Sequence, residues 1–154
     1  MQDDCAISPA SFLSPLRLDI LIKHRFFRHL LEGGIGDAEA VYRWHILGRT
    51  GGREKKSHKV TIEHYVIGCH ELLGSFRARG FDPAYPVLVG SNDVLMDGAH
   101  RIACALTLGV DVRVRRLPRE GRAQEWGCYA LKRHGMPVQQ IDALLAECLR
   151  IQCA

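Results

Sequence analysis

Asp97, Gly98, Ala99, His100 and Arg101 gather a carboxylate, an imidazole and a guanidinium around one flexible backbone position. The apolar run 94–96 enters this pentapeptide, and a helix-like segment, residues 102–108, leaves it. A strand ending in Asp-Gly and feeding a helix brings three things to one small volume: the unpaired N–H groups of a first helical turn, the positive end of the helix dipole, and these side chains. That chemistry suits a phosphate group. Gly98 permits a sharp turn and close approach of a ligand, while His100 and Arg101 fall in the first turn, where donors point toward an anion. The competing structural interpretation of the same residues is an Asp-Gly turn with a helix cap and a surface ion pair. Three ionisable groups beside apolar strands favour function, because unpaired charge there is costly unless something binds it.

The flanking pattern supplies the elements that must position this turn. Ile102, Ala105, Leu106 and Gly109 follow helical spacing with Gly109 as the stop, and Val110, Val112 and Val114 then alternate with charged residues as a half-buried strand. Upstream, Thr61 is a good helix N-cap, and Ile62, Tyr65, Val66, Cys69, Leu72, Leu73 and Phe76 keep a helical period up to Gly80. Asp82-Pro83 and Tyr85-Pro86 force an extended connection into the strand 87–89. Residues 90–93, Gly-Ser-Asn-Asp, fold it back as a hairpin onto 94–96. The order from 87 to 115 reads strand, turn, strand, motif, helix, strand.

The stretch VLMDGAHRIACALTLGVDVRV resembles the ParB/sulfiredoxin superfamily, whose members carry a Gly-x-x-Arg or Asp-Gly-x-His-Arg signature at a strand-to-helix junction that holds nucleotide phosphates. With Asp97, His100 and Arg101 it is closest to the free-serine-kinase branch and to small ParB-like proteins associated with polysaccharide genes. The segments RLDILIKHRFF and YRWHILGRTGGREKK look like the polysaccharide-associated group in particular. In sulfiredoxins a catalytic Cys precedes the His-Arg pair; Ala99 stands there in this chain, which argues against sulfinic acid reduction.

The resemblance implies an α+β fold, a small mixed β-sheet flanked by helices, spanning residues 1–154 as one domain. The core would lie at about 61–117, with a helical N-terminal part at 16–47 and C-terminal helices at 122–151. It also implies a nucleotide-dependent phosphotransferase that uses ATP or ADP with Mg²⁺ and acts on a hydroxyl of a small molecule such as serine, a sugar or a polyol, in surface polysaccharide metabolism. Asp97 would hold Mg²⁺; Gly98, Ala99, His100 and Arg101 would bind phosphate; and Asp97 and His100 would take part in catalysis. Free-serine kinases place a catalytic glutamate before the long helix that precedes the motif, and the matching position here is Glu54, with Lys55 and Lys56 beside it for phosphate or an acidic acceptor. The alternative is a ParB-like nucleotide-binding regulator or DNA-associated module without kinase activity.

Composition bounds these choices. The chain has 154 residues, 47% hydrophobic and 25% charged, which is globular composition. A net charge of +4 is mild for a dedicated DNA binder. The basic residues nevertheless cluster, in 48–59 (Arg49, Arg53, Lys55, Lys56, His58, Lys59) and in 113–122. The first cluster, with paired glycines and no periodicity, reads as a working loop, and the second as a solvated surface. Six cysteines show no C-x-x-C pair and read as buried thiols, and Cys69, His70 and His64 are poorly spaced for a metal. No apolar run reaches the roughly eighteen residues of a membrane span, and the N-terminus lacks a signal-like layout, so a cytoplasmic protein is expected. Helices are expected over about 16–31, from 37 onward, over 122–133 and over 138–151. The last two would cover the sheet or form a homodimer contact, with Trp126 and Tyr129 in the core.

Overall fold

The computed structural model describes residues 4–50, 59–123 and 126–154. A short strand β1 (Cys5–Ile7) and a 3₁₀ turn (Pro9–Phe12) lead into helices α1 (Asp19–Glu32), α2 (Ala38–Thr50) and α3 (Ile62–Arg79). Strands β2 (Val87–Val89) and β3 (Leu95–Asp97), helix α4 (Ala99–Leu108) and strand β4 (Val112–Arg116) follow, and helices α5 (Cys128–Arg133) and α6 (Val138–Gln152) close the described chain. The class is mixed α and β. Helices α1 and α3 stop at Gly33 and Gly80, whose N–H groups each close on a carbonyl four residues back at 2.8 Å.

The four strands form one mixed sheet in the order β1-β4-β2-β3. β4 runs parallel to β2, with Val114 opposite Val87, and antiparallel to β1, with Val112 opposite Ile7. The expected hairpin is present: β2 and β3 pair antiparallel, with Leu88 opposite Asp97 and Val89 opposite Leu95. The register slips between those two pairs, next to the 97–101 turn, a place where an irregular ladder re-aims side chains.

The core lies between this sheet and the first helix. Val87, Val89, Val112 and Val114 meet Ile102, Ala103, Cys104 and Ala105 of α4, and Ile20, Leu21, Ile22, Phe26 and Phe27 of α1 are buried in the same cluster. Each fully buried Ile or Phe there contributes roughly 1.5–3 kcal/mol. The small residues of α4 let it approach α1 closely, and His24 Nδ1 meets Thr107 Oγ1 at 2.8 Å across that contact.

Several local expectations differ from the structure. Residues 48–50 continue α2, with the Thr50 hydroxyl donating to the Ile46 carbonyl at 2.9 Å, so the glycine-rich segment starts later than its charge suggests. β1 forms although three residues carry no readable period; pairing with β4 decides it. The described residues 122, 123, 126 and 127 are not helical. Trp126 instead bridges to Arg17, its N–H reaching the Leu16 carbonyl at 3.1 Å and its carbonyl accepting from Leu18 N–H at 3.1 Å. Gly127 lies so close to Pro15 and Leu16 that an added Cβ would sit 2.8 Å from Leu16 Cα, and α5 starts only after it. Tyr129 is exposed rather than core, as are Cys5 and Cys153, whereas Cys69, Cys104 and Cys148 are buried. Among the described residues no helix is long and apolar enough to cross a membrane.

Candidate functional site

Gly98 takes φ 118°, in the left-handed region, and an added Cβ would lie 3.1 Å from Val87 Cγ2 and 3.2 Å from Arg101 Nη2. Only glycine suits a turn that is both left-handed and this close to the strand behind it. Gly98 also occupies the N-cap position of α4, and no side chain caps that helix end. Asp97 is therefore not a helix cap, and the first-turn N–H groups are left without intrahelical acceptors by the geometry of any α-helix. The ion pair of the structural interpretation is present: Arg101 Nη2 donates to Asp97 Oδ2 at 3.1 Å and to the Pro86 carbonyl at 3.3 Å. The Asp97 side chain remains two-thirds exposed.

This turn forms one wall of a cavity of about 750 Å³. The volume falls in the range of small-molecule sites. Helix α3 supplies another wall, along which His64, Gly68, Glu71, Ser75 and Arg79 recur every three or four residues. Asp97, Gly98, Ala99, His100 and Arg101 all line it, so the residues singled out from the sequence share one space. Arg17, Arg49 and Lys59 line it as well. Arg49 and Lys59 bracket the glycine-rich basic segment, and both of its described flanks thus border the cavity. Glu54, Lys55 and Lys56 lie outside the described residues. Phe76, Phe81 and Tyr85 line the far end, Phe76 and Phe81 in edge contact at 5.8 Å.

Behind Arg17 stands a buried ionic network that the sequence reading missed. Arg17 grips Asp19 with two bonds of 2.9 Å, and Lys23 Nζ meets Asp19 Oδ2 at 3.1 Å and His45 Nε2 at 3.2 Å. Asp19, Lys23 and His45 are all buried. Burial disfavours the Asp19 carboxylate, but Lys23 and Arg17 outweigh it and hold the group well below the usual carboxylate range. Burial pushes the Lys23 ammonium down to about 8 against the pull of Asp19. Because Lys23 only donates, His45 must accept at Nε2 and carry its hydrogen on Nδ1. That Nδ1 has no hydrogen-bond partner, and the ring stands perpendicular to the Trp126 indole at 4.9 Å. The readable signal was an i, i+4 Asp–Lys pair inside an otherwise apolar helical run, which on a buried face must be mutually compensated.

His100 faces inward from the turn. Its Nε2 lies 2.8 Å from Tyr42 Oη of α2, and Tyr42 Oη lies 3.2 Å from Cys69 Sγ of α3. Burial, with the positive charge of Lys23, Lys59 and Arg49 and with His45 nearby, holds its pKa well below the ordinary imidazole value. The ring is therefore neutral at physiological pH.

Among the described residues no three His, Cys, Asp or Glu side chains cluster as a metal site, and Cys69 is engaged with Tyr42 while His64 Nδ1 accepts from Val60 N–H at 3.0 Å. Mg²⁺ needs less than a cage, since it is commonly held by one or two carboxylates together with substrate phosphates. Asp97, exposed and paired through only one oxygen, has the chemistry for that. No protein-family model, curated protein or solved structure matches this chain.

Proposed function

We propose that the cavity binds the phosphates of a nucleotide and that the protein is a phosphotransferase with the ParB/sulfiredoxin-like fold. The observation that carries this reading is the convergence on one cavity of an uncapped helix start, the Asp97–Arg101 pair and the cationic side chains of Arg17, Arg49 and Lys59. Donors from four separate segments converging on one cavity suit a multiply charged anion.

In this reading the first-turn N–H groups and Arg101 take the phosphate oxygens, and Arg17, Arg49 and Lys59 neutralise charge that develops on the transferring group. Asp97 would hold Mg²⁺, which would supply positive charge against that of the phosphates. A hydroxyl acceptor such as serine, a sugar or a polyol attacks the terminal phosphorus as the bond to the nucleoside diphosphate or monophosphate breaks, and Glu54 is the candidate for receiving the hydroxyl proton. The acceptor's place in surface polysaccharide metabolism rests on the resemblance alone. In the second basic cluster two of the cations are already compensated, which weakens the DNA-associated alternative: Arg115 pairs with Asp4 at 3.1 Å and Arg116 pairs with Asp93.

The test is phosphorus NMR of the purified protein with ATP or ADP, Mg²⁺ and a panel of hydroxyl acceptors, together with calorimetric nucleotide binding. Transfer to at least one acceptor is expected. Asp97→Asn should lower turnover at least a hundredfold with unchanged thermal stability, and Arg101→Ala should weaken nucleotide binding by roughly tenfold or more, the scale of a lost charge-assisted bond. Absence of both binding and transfer across the panel would overturn the reading.

A further inference from the structure

The hydrogen-bond chain that ends on His100 has a direction that can be derived. Tyr42 is fully buried and its ring stacks on Phe26 at 4.5 Å, which fixes the phenol oxygen between Cys69 Sγ and His100 Nε2. A phenol owns one hydrogen, so it donates to one of these neighbours and accepts from the other. Burial pushes the Cys69 thiol up to about 11, so that group keeps its hydrogen. Sulfur is also a weak acceptor, whereas a neutral imidazole nitrogen is a strong one. The chain therefore runs from Cys69 S–H to Tyr42 Oη, and from Tyr42 O–H to His100 Nε2. With Nε2 accepting, the ring carries its hydrogen on Nδ1.

The charged and titratable groups around the ring favour the same neutral state. They are Lys23 on α1, His45 and Arg49 on α2, and Lys59 before α3, all cationic or basic, with Tyr42 and Cys69 in contact through the chain. A protonated imidazole there would face positive charge on several sides.

We propose that Tyr42 is a positioning residue that locks His100 in the Nδ1–H tautomer, making His100 a hydrogen-bond donor to a phosphate oxyanion in the cavity and not a proton acceptor. The identity of the anion rests on the nucleotide reading; the tautomer does not. The consequence is selective: this edge of the cavity offers hydrogens and takes deprotonated oxygens, so the proton of an acceptor hydroxyl leaves by way of another group.

The tautomer is read on ligand-free protein carrying ¹⁵N-labelled histidine, by long-range ¹H–¹⁵N spectra, with the His100 signals identified by their loss in His100→Asn. Wild type should show a protonated Nδ1 and an unprotonated Nε2. Tyr42→Phe should move the ring to the Nε2–H form or to a mixture, and should weaken inorganic pyrophosphate binding about fivefold or more. His100→Asn keeps a donor near the Nδ1 position and should retain pyrophosphate affinity within about threefold, whereas His100→Gln, which mimics Nε2, should lose it. In the His100→Asn background Tyr42→Phe should change affinity little, a result that a merely structural role for Tyr42 would not give. A wild-type Nε2–H tautomer, or a tautomer unmoved by Tyr42→Phe, overturns the inference and leaves the nucleotide reading standing. A locked Nδ1–H ring in a protein that binds no pyrophosphate overturns the donor role and the nucleotide reading together.

Discussion

At the scale of single residues, Gly98 carries two demands at once, a positive φ and a near-contact with Val87 and the Arg101 guanidinium. Gly98→Ala should therefore cost roughly 1–3 kcal/mol in denaturant unfolding and, by displacing Arg101, weaken the proposed nucleotide binding in parallel. A variant as stable as wild type would show that the turn relaxes and that the left-handed geometry is not required. The Asp97, Gly98, His100 and Arg101 grouping was legible because all its members lie within one turn of chain, where strand, glycine and helix signals fix their relation. The partner of His100 was not. Tyr42 lies fifty-eight positions away on another helix, and its sequence signal is that of an ordinary buried aromatic. Side-chain direction within a first turn decides whether a histidine faces solvent or core, and spacing alone does not carry that information.

At the scale of elements, α1 was legible as an amphipathic helix but not as the support of the cavity. Its apolar face drives it onto α4, and the same face carries Asp19 and Lys23 into the interior, where they survive only as a compensated set with Arg17 and His45. Asp19→Asn removes the one carboxylate of that set and leaves Lys23 buried against positive neighbours. Breaking one partner of a buried pair costs roughly 3–5 kcal/mol, far more than the same change on a surface. Chemical denaturation should show a loss of that size, and Lys23 should titrate at lower pH than in wild type. A loss below about 1 kcal/mol would mean that water already reaches the network. The opposite failure of legibility is at Trp126 and Gly127, which lie before α5 rather than in it because Trp126 pairs with the chain at 16–18 and Gly127 allows the contact. Tertiary pairing overrides local propensity there, as it does in creating β1.

At the scale of the whole molecule, three histidines on three helices lock different parts of the core in their neutral form. His24 on α1 is pushed down to about 4, first by burial and then by Arg28, while His45 on α2 and His100 on α4 are lowered by burial and by nearby Lys23. Each binds a proton more readily in the unfolded chain than in the folded one, so stability rises with pH where the unfolded chain alone is protonated. For His24 that contribution is complete above about 6.5 and is lost as pH falls to about 4. Its full loss is at most on the order of 3 kcal/mol, from about 1.4 kcal/mol per unit, because the Glu147 carboxylate 3.8 Å from His24 Nε2 favours the protonated ring. Asp19, lowered from 3.8, acts in the same direction but only at more acid pH, so the two windows separate. Thermal unfolding followed from pH 7.5 to 4 should therefore show a steep fall in Tm that begins near pH 6.5, well before carboxylates protonate. His24→Asn keeps a donor for Thr107 and removes one titrating ring, so its Tm should decline less steeply over the same interval. A wild-type Tm that stays level down to pH 4.5 would contradict the neutral interior histidines, and with them the neutral ring whose Nε2 accepts from Tyr42.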